Sequence, residues 1–61
     1  MVELKDIREG SIVMMRPNFG TDSAVQVRVE LVEEDIKNGR PGICYKDRWA
    51  YLHQVDSVVT Y

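Results

Sequence analysis

The sequence predicts an all-β domain, a small five-stranded antiparallel barrel with at most one helical turn. Three observations predict it. Ala24 to Glu33 alternates apolar and polar side chains, with Val25, Val27, Val29 and Leu31 on one face, the period of a half-buried strand. Glycine and proline cluster in Asn38-Gly39-Arg40-Pro41-Gly42, where the backbone must turn. Ile43-Cys44-Tyr45 and Trp49-Ala50-Tyr51-Leu52-His53 then read as two extended runs around the short connection Lys46-Asp47-Arg48. Finally, 61 residues make one domain with a small core, burying roughly 60% of the unfolded surface. Net stability is then a few kcal/mol, on the order of 0.05–0.15 kcal/mol per residue. Little is spare for a strained catalytic pocket.

Leu4 to Gly10 is a charged lead-in from which Leu4 and Ile7 cap the bottom of the core. Ile12-Val13-Met14-Met15-Arg16 forms strand one, with one of the two methionines turned outward. Pro17 to Ser23 breaks that strand, because Pro17 cannot donate to a ladder and Gly20 permits a positive φ. The loop projects and carries Phe19 near its tip, as either a contact residue or a lid folded over the core. Strand two is the alternating run, which Val32 interrupts as a bulge or strand end would. Glu33 to Gly39 has acids early and Lys37 late, the order a helix dipole prefers, and is expected to wind into one turn anchored by Ile36. The hairpin supplies strands three and four. Val58 to Tyr61 closes the domain as strand five, after a tight turn at Asp56-Ser57.

Eight basic and ten acidic side chains leave a net charge of −2, which argues against a dedicated nucleic-acid binder. The charge is segregated, however. Glu30, Glu33, Glu34 and Asp35 form an acidic run, and Lys37, Arg40, Lys46 and Arg48 follow with Asp47 as the only acid among them. A single cysteine, Cys44, cannot form an internal disulfide, so a reducing cytoplasm is expected. The amino-terminal residues show no signal-peptide pattern, and no apolar run approaches the ~20 residues of a membrane span.

Cys44 and His53 are the only thiol and imidazole, and hairpin geometry separates them. With a three-residue turn they project from opposite faces. With a two-residue turn His53 lies four strand positions from the residue opposite Cys44, roughly 13 Å away. One Cys and one His cannot complete a zinc site, and Glu33-Glu34-Asp35 lacks the spacing of a calcium loop. Asn38 to Gly42 lacks the Gly-Lys-Ser/Thr ending of a phosphate loop. No catalytic residue, metal or cofactor is expected.

The remaining candidate is the aromatic hairpin. In the three-residue register Ile43, Tyr45, Trp49 and Tyr51 share one face, and Cys44, Ala50 and Leu52 share the other. If the small side packs on the valines, the rings make an outer platform flanked by Arg40, Lys46 and Arg48. The competing reading takes Trp49 into the core.

The order of elements resembles SH3-like barrels, including the KOW and Tudor type: Gly10 before strand one, a long first loop, a projecting second loop, then a compact hairpin. The resemblance implies one SH3-like barrel over residues 1–61, with strand two long enough to bend and serve both halves. A second likeness is to short bacterial and phage proteins without an assigned activity. It is carried by Asp35-Ile36-Lys37-Asn38-Gly39-Arg40-Pro41-Gly42-Ile43 with Tyr45, and by Trp49-Ala50-Tyr51-Leu52-His53-Gln54-Val55. It implies a prophage or accessory-gene origin.

The expected function is a non-catalytic binding module that grips a protein partner through Tyr45, Trp49, Tyr51, Arg40, Lys46, Arg48 and Phe19. The alternative is single-stranded DNA or RNA, with rings stacking on bases and cations meeting phosphates. The chain is expected to be a monomer or a weak homodimer, pairing through an edge near Pro17 or through the terminal strand.

Overall fold

Two consecutive residues, Val29 and Glu30, carry the chain from one sheet into another. The Val29 N–H donates to the Ser11 carbonyl (2.8 Å) and the Val29 carbonyl accepts from the Gly10 N–H (2.8 Å). The Glu30 N–H instead donates to the Cys44 carbonyl (2.8 Å). The structure, a computed structural model, describes residues 1–61. It contains six strands: β1 (Ile12–Met15), β2 (Val25–Arg28), β3 (Leu31–Lys37), β4 (Arg40–Tyr45), β5 (Arg48–Tyr51) and β6 (Val55–Thr60). They form two three-stranded antiparallel sheets, ordered β2-β1-β6 and β3-β4-β5. No ladder connects β5 to β2, so hydrogen bonding does not close the sheets into a barrel.

The all-β expectation is met, but there are six strands where five were expected. The alternating run is divided at the corner, so it does bend and contribute to both sheets. Turning the corner also shifts its phase by one residue. Val27 and Val29 point inward and are buried, Glu30 and Leu31 both lie exposed, and Val32 resumes inward packing. Leu31 therefore leaves the core that strict alternation gives it, and Val25 is exposed at the far end of β2.

The expected helical turn at Glu33 to Gly39 is a correction of a different kind, because this segment is strand. Asn38 and Gly39 both have positive φ (55° and 72°), and Lys37 faces Arg40 across them. That is a two-residue hairpin of the type that Asn-Gly favours, and it holds Glu33 to Lys37 extended. The Gly39 N–H donates to Asp35 Oδ1 (2.9 Å) and braces the turn. Helical turns occur elsewhere, three where at most one was expected: Leu4–Asp6, Pro17–Gly20 and Leu52–Gln54.

The β4–β5 connection is also two residues long. Tyr45 pairs with Arg48, leaving Lys46 and Asp47 in the turn at φ 46° and 59°. Cys44 then faces Trp49, Ile43 faces Ala50 and Gly42 faces Tyr51. The last turn leads directly into β6 at Val55, with no reversal at Asp56-Ser57.

The core lies between the sheets. Val13 and Met15 from β1 meet Val27, Val29, Ile43, Tyr45, Ala50 and Val55, with Ile7 closing one end. Met14 is the half-buried methionine, since Val13 and Met15 occupy the inward positions of β1. Ser11 is fully buried and satisfied. Its Oγ accepts from the Arg8 N–H (2.9 Å) and donates to the Tyr61 carbonyl (2.9 Å). No helix is long and apolar enough to cross a membrane.

Gly42 is required by contact. A Cβ there would press on the Ala50 carbonyl oxygen and on Ile36, whose own Cβ would be 2.9 Å away. Gly42→Ala is expected to lower stability by about 1–3 kcal/mol in urea denaturation, and an unchanged midpoint would contradict this packing. Lys46→Asn should act in the opposite direction, because asparagine tolerates positive φ better than lysine does. A gain of about 0.5–1 kcal/mol is expected in the same titration.

Candidate functional site

The two-residue β4–β5 turn decides which rings reach the surface. It places Tyr45 on the inner face with Ile43 and Ala50, and Tyr45 retains only 7% of its exposure. Trp49 and Tyr51 occupy the outer face with Cys44. The expected platform of Tyr45, Trp49 and Tyr51 therefore loses Tyr45 to the core, and the expected inward face of Cys44 and Ala50 is divided. Sequence left the turn length open, and one residue of register exchanges the two faces. Trp49 is 36% exposed and Tyr51 only 8%, so the tryptophan is the accessible member of the pair.

Tyr51 is covered by other rings and by one cation, Arg40, and stands outside the main core cluster. Trp49 meets it edge-on with centroids 5.0 Å apart, and His53 stacks on it at 5.5 Å. The Arg40 guanidinium lies 4.6 Å from its centroid, and Asn38 Nδ2 donates to its hydroxyl (3.1 Å). Lys37 Nζ sits 5.4 Å from the centroid of Trp49. Both cations lie within the ~6 Å at which the ring quadrupole attracts them. Lys37, Arg40 and Asn38 arrive together because the Asn38-Gly39 turn brings the ends of β3 and β4 beside the ring of Tyr51. His53 and Asn38 join the cluster although neither is among the expected binding residues. Asn-Gly between two extended runs was the signal that could have found Asn38.

Phe19 comes from a distant segment. Pro17–Gly20 forms a single turn in which Asn18 and Phe19 have positive φ (56° and 58°), a strained conformation for a phenylalanine. Phe19 is 62% exposed, yet it lies 6.1 Å from Trp49 edge-on and 6.3 Å from Tyr51. It leans on the outer rings and does not fold over the core.

Buried Gln54 holds this turn against the hairpin. Its Oε1 accepts from the Tyr51 N–H (2.8 Å) and its Nε2 donates to the Arg16 carbonyl (2.9 Å). The Arg16 N–H donates in return to the Gln54 carbonyl (2.8 Å), and Arg16 Nε pairs with Asp56 (2.9 Å). Between the two segments lies an open cleft of about 390 Å³, lined by Pro17, Phe19, Tyr45, Arg48, Trp49 and Gln54 among others. Arg48 is thus at the cleft, while Lys46 stands exposed at the hairpin tip. Neither approaches a ring as Lys37 and Arg40 do.

Cys44 is a free, half-buried thiol opposite Trp49, and His53 is exposed and stacked on Tyr51. No hydrogen bond links them. Comparisons with protein-family models, with curated proteins and with solved structures found no match.

Phe19→Ala should leave stability within about 0.5 kcal/mol, because the ring is largely exposed and alanine bears the same positive-φ cost. It should also increase acrylamide quenching of Trp49, and quenching equal to that of the unchanged chain would refute the contact. Gln54→Leu should cost about 1–3 kcal/mol by leaving the Tyr51 N–H and the Arg16 carbonyl without their side-chain partner, measured by thermal unfolding.

Proposed function

We propose that the chain is a non-catalytic protein-binding module of SH3-like architecture, working in the cytoplasm. It holds an extended peptide segment of its partner in the cleft between the Pro17–Gly20 turn and the β4–β5 hairpin. The architectural part draws support from the strand that bends at Val29–Glu30 and serves both sheets. The sole thiol, Cys44, has no disulfide partner, which suits a reducing compartment.

One observation carries the binding reading. Two exposed rings from separate elements, Phe19 and Trp49, border a single cleft, and Arg48 stands beside them. Tryptophan and arginine are the side chains that most often dominate protein interfaces. Gln54 fixes both walls before any ligand arrives, which reduces the ordering cost of binding.

The nucleic-acid alternative uses the same rings but meets an obstacle. Lys37 and Arg40 already lie over the rings of Trp49 and Tyr51, so a base stacking on those faces must displace them. The net charge of −2 opposes a polyanion as well.

Titration of the isotope-labelled chain with a proline-rich decapeptide, and separately with a short single-stranded oligonucleotide, tests the proposal. The peptide should shift the resonances of Phe19, Arg48 and Trp49. Trp49→Ala should weaken its binding by at least about tenfold. A preferred oligonucleotide whose affinity falls steeply with salt would overturn the peptide reading in favour of nucleic acid. Silence of these residues toward both ligands would remove the site.

A further inference from the structure

The cleft beside Trp49 does not end at Arg48. A second open cleft of about 360 Å³ is lined by Pro17, Val25, Gln26, Tyr45, Lys46 and Arg48, together with Val27. Pro17, Tyr45 and Arg48 belong to both clefts. The second cleft runs along β2, which pairs only with β1, so its other edge carries unpaired backbone groups. Val25, on this edge, is 42% exposed. The structure's ion pairs are Lys5 with Glu3 and Arg16 with Asp56, so Lys46 and Arg48 carry none. The acidic residues Glu33, Glu34 and Asp35 lie on β3, at the opposite edge of the sheet that ends in β5.

We infer that the two clefts form one groove, and that its β2 arm receives an acidic, extended segment of the partner peptide adjoining the part held at Trp49. The inference rests on the peptide-binding reading given above and adds the charge of the ligand and the arm of the groove that its acidic part occupies. An edge strand with free backbone groups is the template to which an extended peptide adds. Four residues of β2 span about 13 Å, enough for a four-residue acidic segment. Lys46 and Arg48 then meet its carboxylates, and the Arg48 fork donates two parallel hydrogen bonds to one of them. Asp47 between them offsets only one of the two charges, so that end of the groove stays cationic.

The test uses three probes with the full chain: the proline-rich decapeptide, the same peptide extended by four glutamates, and the same peptide extended by four glutamines. Each extension is made once at either end, because the groove does not fix chain direction. The better glutamate peptide should bind on the order of tenfold more tightly than its glutamine counterpart, with added shifts at Val25, Gln26, Lys46 and Arg48. The advantage should shrink at high salt. Lys46→Gln combined with Arg48→Gln should erase the difference between the two extended peptides. Equal binding of glutamate and glutamine peptides, with shifts at Trp49 retained, would overturn the acidic arm and leave the peptide site standing. No shift at Trp49 with any peptide would remove both. Added shifts at Lys37 and Arg40 in place of Lys46 and Arg48 would also overturn the β2 arm.

Discussion

The fold depends on how the chain changes sheets at Val29 and Glu30. Two neighbouring N–H groups choose different partners, Ser11 on the β1 side and Cys44 on β4, so one continuous segment belongs to both sheets. Burial follows from that choice. Val29 lies where the sheets converge, and the phase shift after it sends Leu31 outward and Val32 inward. A chain of 61 residues has few interior positions, and this corner allows both sheets to share one set of them. Gly10, at φ 94°, completes the bend from the neighbouring segment.

Much of this was legible in the residues. Alternating valines identify a half-buried strand, and two β-branched residues after Gly10 and Ser11 identify β1. The hairpin follows from aromatics on either side of a charged connection. What stayed hidden depends on local backbone angles that side-chain type only biases. Lys46-Asp47 makes a two-residue turn without a glycine, so its length could not be read, and with it went the face on which Tyr45 lies. Asn38-Gly39 was readable in principle. The acids before it suggested a helix dipole, but the hairpin they lead into satisfies more backbone groups than one isolated helical turn does.

The candidate site was legible as a list of rings and cations, and not as an arrangement. Trp49, Tyr51, Arg40 and Phe19 do converge, whereas Tyr45 enters the core and forms one wall of the cleft from below. The convergence needs Gln54, which sequence alone marks as an ordinary polar residue. Its two side-chain bonds tie the first loop to the last turn, so Phe19 meets the hairpin rings although thirty residues separate them from it. Tyr51 is consequently shielded on the outside of a sheet by ring contacts and by the Arg40 guanidinium, which makes the ring cluster a small second layer.

The hairpin connections on either side of β4 have a kinetic side. The sheet β3-β4-β5 closes through two-residue turns, so its contacts join residues that are near neighbours in sequence. The other sheet requires β1 to find β6, with Ile12 beside Thr60 and Met15 beside Val55. Loop-closure entropy is thus concentrated in that one pairing, the search that limits folding speed in small β proteins. Trp49 and Tyr51 belong to the sheet of short-range contacts, whereas Phe19 and Gln54 sit beside the long-range pairing of β1 with β6. The only tryptophan, lying against Phe19, is therefore placed where its fluorescence is expected to follow that long-range pairing.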